Sequence, residues 1–358
     1  MKTQALKLLK ELTEAHGAPG EEGEIRKIFR REIALPCQSD RLGGLFAVKE
    51  GSSKNPRIMI ASHMDEVGFM VQSITTEGLI RFVTLGGWWG HTLLSQRVYI
   101  QTSEGKKILG VITSKPPHFL SPEERKHVLT PDKMYIDVGA SSDEEVRDFG
   151  IRIGDTIIPD SSFSPMNNPD LLLCKAFDDR AGVALTIQAT QELADKEHPN
   201  TLYSTATVQE EMGTRGAQTI PHLINPDVAI ILEGTPADDL PGSSKDERQG
   251  IIQGGVQIRM MDPTFLSNRK LVRFITDIAD ESKINYQLAV RKSGGTDARQ
   301  IHLYKHGVPT VVFGVPARYI HTHNGIIHID DYLSALQLVV AVIQKLDEKT
   351  VASFTDFS

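Results

Sequence analysis

"LYSTATVQEEMG", residues 202–213, joins what reads as a buried strand to two adjacent carboxylates, Glu210 and Glu211. A buried carboxylate is neutralised or finds a partner, so the stretch raises the question of what those two glutamates meet. Upstream, "RIMIASH", ending at His63, is the first clear buried strand, after an exposed strand "LFAVKE" and a helix over "EEGEIRKIFRREI". Downstream come "LLLCKAF", a helix from about Asp179 to Asp195, a short helix near "RGAQTIPHLI", "DVAIILE", a helix over "LVRFITDIADES", "PTVVFGV" and a C-terminal helix "YLSALQLVVAVIQKL". Strands alternating with crossover helices predict an α/β fold whose sheet is largely parallel and flanked by helices.

From about Val67 to Phe163 the pattern changes to short β-like segments such as "GFMVQSI", "LIRFVTL" and "KKILGVIT", broken by turn signals "TTEG" and "TSEG". The chain therefore divides into an α/β part over 1–66, an inserted small β-rich domain over 67–163, and the rest of the α/β part over 164–358. "TPADDLPGSSKDERQG" reads as a surface loop.

With 358 residues, 40% hydrophobic and 24% charged, the composition is that of an ordinary globular protein rather than a disordered or fibrous one. A net charge of −7 without a long Lys/Arg run argues against nucleic acid as a partner. No apolar run approaches a membrane span, and "MKTQALKLLKELTEAHG" reads as a short amphipathic helix rather than a signal peptide. Cys37 and Cys174 are too few for a disulfide framework and fit a reducing compartment, so a cytoplasmic location is expected.

Open parallel sheets carry their sites at the carboxyl ends of strands. Four such ends hold candidate ligands: "ASHMDEVG" (His63, Asp65), "CKAFDDRAG" (Asp178, Asp179), "VQEEMG" (Glu210, Glu211) and "LEGT" (Glu233). A fifth segment, "PARYIHTHNG", supplies His321 and His323, which point opposite ways if the segment is extended. Mixed imidazoles and carboxylates suit zinc, cobalt or manganese rather than calcium. Asp179 is also placed to cap the following helix.

In order and wording, "ASHMDEVG", "KAFDDRAG", "QEEMGTRGA", "LEGT", "SGGTDA" and "ARYIHTH" resemble the tetrahedral, deblocking and glutamyl aminopeptidases, co-catalytic metallopeptidases sometimes labelled cellulase M. The resemblance runs through nearly the whole chain. It implies a zinc-peptidase-like catalytic domain interrupted by a PDZ-like domain that helps form dimers, which assemble into a hollow dodecamer. It implies two divalent metal ions per subunit, zinc or cobalt, with manganese as a further option, held by His63, Asp178, Glu211, Glu233 and His321. Asp178 would bridge the ions, one held also by His63 and Glu233, the other by Glu211 and His321. His321 is preferred to His323 because it directly follows "RYI", and Glu233 stands where many relatives carry aspartate. Asp65 would orient the His63 imidazole through its second nitrogen.

The implied reaction removes N-terminal residues from peptides with a free N-terminus, using a metal-activated water with Glu210 as general base. In "RKSGGTDARQ", Asp297 is expected to favour the start of a helix beginning near Thr296. Arg291, Lys292 and Arg318 are candidates for favouring an acidic first residue, and Trp88–Trp89 for a core or interface element of the inserted domain. His91, His118, His302 and His328 are assigned structural or surface roles.

Two rival reactions use parts of the same site: a metal-dependent amidohydrolase acting on N-acyl amino acids, and an endoglucanase, which would leave His63 and His321 without work. An aminoacyl anilide with a free amine should be hydrolysed and its N-acetylated form left intact. Equal or faster release from the acetylated compound would favour the amidohydrolase.

Overall fold

The computed structural model describes residues 1–358. Its centre is four parallel strands in the order Thr201–Thr207, Arg57–His63, Val228–Pro236 and Thr310–Arg318. Ile58–His63 and Val228–Thr235 are buried throughout, as their apolar runs require of strands covered on both faces. Register brings the acidic motifs level. His63 pairs with Thr207, and Ile231 pairs with Ala61, so Glu233 lies beside His63 at the carboxyl end of the sheet.

The sheet is mixed rather than largely parallel. Outside the four central strands, most pairings are antiparallel: Leu45–Glu50 with Thr201–Thr207, Gly325–His328 with both Thr310–Arg318 and Leu171–Cys174, and Val256–Asp262 with Thr310–Arg318. Of these, only Gly325–His328 follows its antiparallel partner Thr310–Arg318 directly, by the short segment that carries His321; the other antiparallel neighbours come from distant parts of the chain. The strand "LFAVKE" is not exposed: lying between Cys37–Ser39 and Thr201–Thr207, its residues Leu45, Phe46 and Ala47 are buried. Val256–Asp262 and Tyr286–Val290, which carry no clear apolar-run signal, extend the sheet on the far side.

Helices cover both faces. One face packs Lys2–Glu14, Phe177–Glu192 and Ile329–Ile343 into a core that includes Leu8, Leu12, Val183, Ile187 and Val339. The other packs the short helices Arg215–Thr219, Pro221–Ile224 and Ala298–Ile301 through Ala217, Ile220, Ile224 and Ile301. Inside Phe177–Glu192, Asp178 and Asp179 have non-helical backbone angles. The peptide bond between them is cis. Asp179 accepts the Gly182 N–H at 2.9 Å, the cap contact expected of it.

Six strands between Gly68 and Pro159 close into a separate barrel with its own core of Phe69, Val98, Ile112 and Ile136. Trp88 belongs to this unit, stacked on Phe69 at 4.6 Å with its indole N–H donated to the Gly68 carbonyl, while Trp89 is 64% exposed. Ala18, on the segment after Lys2–Glu14, packs on the barrel residues Leu85 and Ile158 close to Met212, beside the glutamate pair. No helix is long and apolar enough to cross a membrane.

Candidate metal centre

Strand ends deliver His63 and Glu233, the turn after Thr201–Thr207 delivers Glu210 and Glu211, and the start of Phe177–Glu192 delivers Asp178. His321 follows Thr310–Arg318 in a left-handed backbone conformation, φ 57°. Asp178 lies between the two imidazoles: Oδ1 is 3.2 Å from His63 Nε2 and Oδ2 is 3.4 Å from His321 Nε2. Glu233 flanks His63 at 3.6 Å, Glu211 flanks His321 at 3.3 Å, and Glu210 stands 4.0 Å from His63. Gly234 makes room for this approach, since a Cβ there would sit 2.7 Å from Asp178 Cα.

His63, Asp178 and Glu211 offer ligand atoms within 4.8 Å of one another, as do His63, Asp179 and Glu233. Asp179 is the poorer donor of the two aspartates, because its oxygens already accept the N–H groups of His63, Gly182 and Gly234 at 2.9–3.0 Å. Glu233 Oε2 is buried without any hydrogen-bond partner, and Glu211 Oε1, also buried, faces the His321 imidazole at 3.3 Å without making a hydrogen bond. Buried acceptors left open in this way fit a divalent cation, and the mixed nitrogen and oxygen donors are those of zinc, cobalt or manganese.

Electrostatics agree with that chemistry. Burial lowers His63 and His321, yet the carboxylates around them prevail: Asp178, Asp65 and Glu233 raise His63 well above the ordinary imidazole value, and Asp178 and Glu211 raise His321 to about 11. Burial penalises the Asp178 anion, but both imidazoles hold it below the usual carboxylate range. Burial, then Asp178, pushes Glu233 up to about 7 despite the His63 contact. Glu210 is raised well above its ordinary value by burial, then by Glu211 and Glu233.

Asp65 is fully buried and does more than face an imidazole. His63 Nδ1 lies 3.0 Å from the Asp65 carbonyl oxygen and 3.5 Å from its carboxylate, and that carboxylate accepts the N–H groups of Glu210 at 2.9 Å and Glu211 at 3.0 Å. His323 does not join the cluster: it is buried near Trp88, at 5.8 Å between rings, with both ring nitrogens unpartnered. Asp297 does not cap a helix with its side chain. The helix Ala298–Ile301 is short, and the carboxyl turns inward to Thr207, whose hydroxyl also reaches the Ser62 carbonyl. Arg291 and Arg318 are not free cations, being paired with Asp238 at 2.8 Å and Asp239 at 2.7 Å from the polar loop after Glu233. His328 caps Ile329–Ile343, a structural role as assigned.

Sequence reasoning passed over Glu66, Lys175 and Arg180, all buried. Glu66 accepts from Lys175 at 2.7 Å and Arg180 at 3.0 Å, and the two cations also bond the Leu12, Ala15 and Gly17 carbonyls. Each lies within a quoted motif, "ASHMDEVG" or "CKAFDDRAG", and the signal for them is the excess of charge at the ends of apolar runs.

The model of the M42 glutamyl aminopeptidase family matches residues 43–338, and a second model, AMPT, matches 3–29. The glutamyl aminopeptidase of Lactococcus lactis subsp. cremoris is 37% identical over 358 residues, covering 98% of each chain. The crystal structure of a TET aminopeptidase from a marine sediment thaumarchaeote aligns with a TM-score of 0.96 at 41% identity, covering 99% of this chain and 100% of that one. The Pyrococcus horikoshii TET1 peptidase, which assembles into a tetrahedron or a large octahedral shell, aligns with a TM-score of 0.85 at 31% identity, covering 96% and 100%.

Glu66→Ala would strand two buried cations and should cost about 3–5 kcal/mol of stability, read from chemical denaturation. A loss below about 1 kcal/mol would show that the three groups are not mutually dependent.

Proposed function

This chain belongs to the M42 glutamyl aminopeptidase family and is a peptide hydrolase; from that premise we propose that it removes N-terminal residues one at a time with a pair of divalent cations. His63, Asp178 and Glu233 would hold one ion, Asp178, Glu211 and His321 the other. The observation that carries this reading is Asp178, whose two oxygens face two imidazoles, with a further carboxylate on each side. When bound, the cations would supply an acidified water, with a pKa of about 7, and polarise the scissile carbonyl. Zinc or cobalt is proposed first, then manganese.

Glu210 is proposed as the group that moves the proton. It stands beside the cluster, 4.0 Å from His63 and without an ion pair to His321, and burial beside Glu211 and Glu233 raises its proton affinity. A carboxylate so tuned takes a proton from the attacking water and returns it to the leaving amine nitrogen. Asp65 is proposed to orient His63 and to hold the Glu210–Glu211 backbone. The carboxyl groups around the cluster would also receive the substrate's α-ammonium, which makes a free N-terminus part of recognition. Arg291 and Arg318, already neutralised by Asp238 and Asp239, lend no support to an acidic first residue.

An endoglucanase would use two carboxylates and have no need of two imidazoles facing a shared aspartate. The amidohydrolase reading shares the metals and differs only in the amine.

We also propose the division 1–66, 67–163 and 164–358, with the inserted, PDZ-like barrel domain forming dimers that build a dodecamer. Phe119, 72% exposed, and Val83, Leu109 and Val111 give the barrel an outward apolar surface. A cytoplasmic setting fits the unpaired thiols Cys37 and Cys174.

Glu210→Gln should keep its metal by elemental mass spectrometry and lose turnover by about 10²–10⁴-fold, whereas His63→Ala should lose one ion per chain. Near wild-type turnover in Glu210→Gln would sink the proton-transfer role. Light scattering should give twelve times the 39.6 kDa chain mass; a monomer at micromolar concentration would exclude the assembly.

A further inference from the structure

Three successive backbone amides precede or belong to the glutamate pair, and all three end on carboxylates. Gln209 N–H donates to Glu22 Oε1 at 3.3 Å, Glu210 N–H to Asp65 Oδ1 at 2.9 Å and Glu211 N–H to Asp65 Oδ2 at 3.0 Å. Gln209 is left-handed, with φ 54°. Successive N–H groups in such a turn converge into an anion-binding concavity, here filled by the protein's own acids.

Glu22 lies almost two hundred residues away in sequence, on the segment after Lys2–Glu14, and is 1% exposed. Its Oε1 also accepts the Gly20 N–H at 2.8 Å. The segment that carries it is fastened under the site: the Gly17 carbonyl accepts the Glu66 N–H at 2.9 Å and Arg180 at 3.1 Å, and the Ala15 carbonyl accepts Lys175 at 3.1 Å. Burying Glu22 close to the buried Asp65 sets two acids against each other, and its proton affinity is raised by burial and then by Asp65. That arrangement works against stability. What it secures is the direction of the Gln209 turn.

We propose that Glu22 is a positioning residue for the glutamate pair. Through the Gln209 amide it fixes the turn that sends Glu211 towards His321 and leaves Glu210 beside His63. The consequence for turnover rests on the proton-transfer role proposed for Glu210; the positioning itself does not.

The test uses the full chain with Glu22→Ala, Glu22→Asp and Glu22→Gln. Alanine, and aspartate with its oxygen withdrawn by one methylene, should lower kcat on an aminoacyl anilide by about 10–100-fold with KM within about twofold. Turnover is compared with metal in saturating excess, because Glu211 sits on the same turn. In metal-free protein, amide exchange over 209–211 should quicken by about tenfold or more in both. Glutamine, whose amide oxygen accepts the same N–H, should stay within about threefold of wild type in kcat and exchange. Wild-type exchange in Glu22→Asp, or a loss in Glu22→Gln equal to that in Glu22→Asp, would overturn the proposal. Should Glu210→Gln keep its turnover while exchange still follows Glu22, the general-base assignment falls and the positioning stands.

Discussion

Crowded acids around Asp178 set the terms for the rest of the molecule. Asp65, Asp178, Asp179, Glu210, Glu211, Glu233 and Asp297 converge at one end of a buried sheet, where like charges repel through a poor dielectric. Such a cluster holds only if positive charge or protons enter it. His63 and His321 face Asp178 inside it, and the unpartnered Glu233 oxygen fits a further positive charge.

The surrounding structure serves to keep these groups from drifting apart or from pairing elsewhere. Asp179 spends its oxygens on three backbone amides and so ties the His63 strand, the Glu233 strand and the helix start to one another, leaving Asp178 free for the imidazoles. Asp65 acts similarly on the turn carrying Glu210 and Glu211. Beneath them Glu66 bridges Lys175 and Arg180, and the two cations, shared with backbone carbonyls, fasten the Leu12–Gly17 backbone to the same strand end. Backbone amides and buried ion pairs are rigid partners, so the functional side chains inherit the rigidity of the sheet.

Much of the site was legible because its residues lie at the ends of apolar runs, where period and composition speak clearly. "RIMIASH", "LYSTATV" and "DVAIILE" mark buried strands, and the acids just beyond them have no apolar reason to be there. Val256–Asp262 was harder to read because Gln257, Arg259 and Asp262 are buried polar residues within it, satisfied by Thr235 and by an Arg259–Asp262 ion pair at 3.2 Å. Hydropathy cannot register a partner that lies on another strand. The same blindness hid the neutralisation of Arg291 and Arg318, since Asp238 and Asp239 look like ordinary loop acids in "TPADDLPG".

Local chemistry along the chain thus determined which residue types end which strands, that a β-rich unit interrupts an α/β pattern, and that the family's motifs are all present in order. Tertiary structure decided the mixed direction of the sheet, the inward turn of Asp297, and the reach of Glu22 and Asp65 to the Gln209–Glu211 amides. These depend on register and on hydrogen bonds between segments far apart in sequence. Propensity and periodicity describe a chain's neighbours in sequence; only packing determines its neighbours in space.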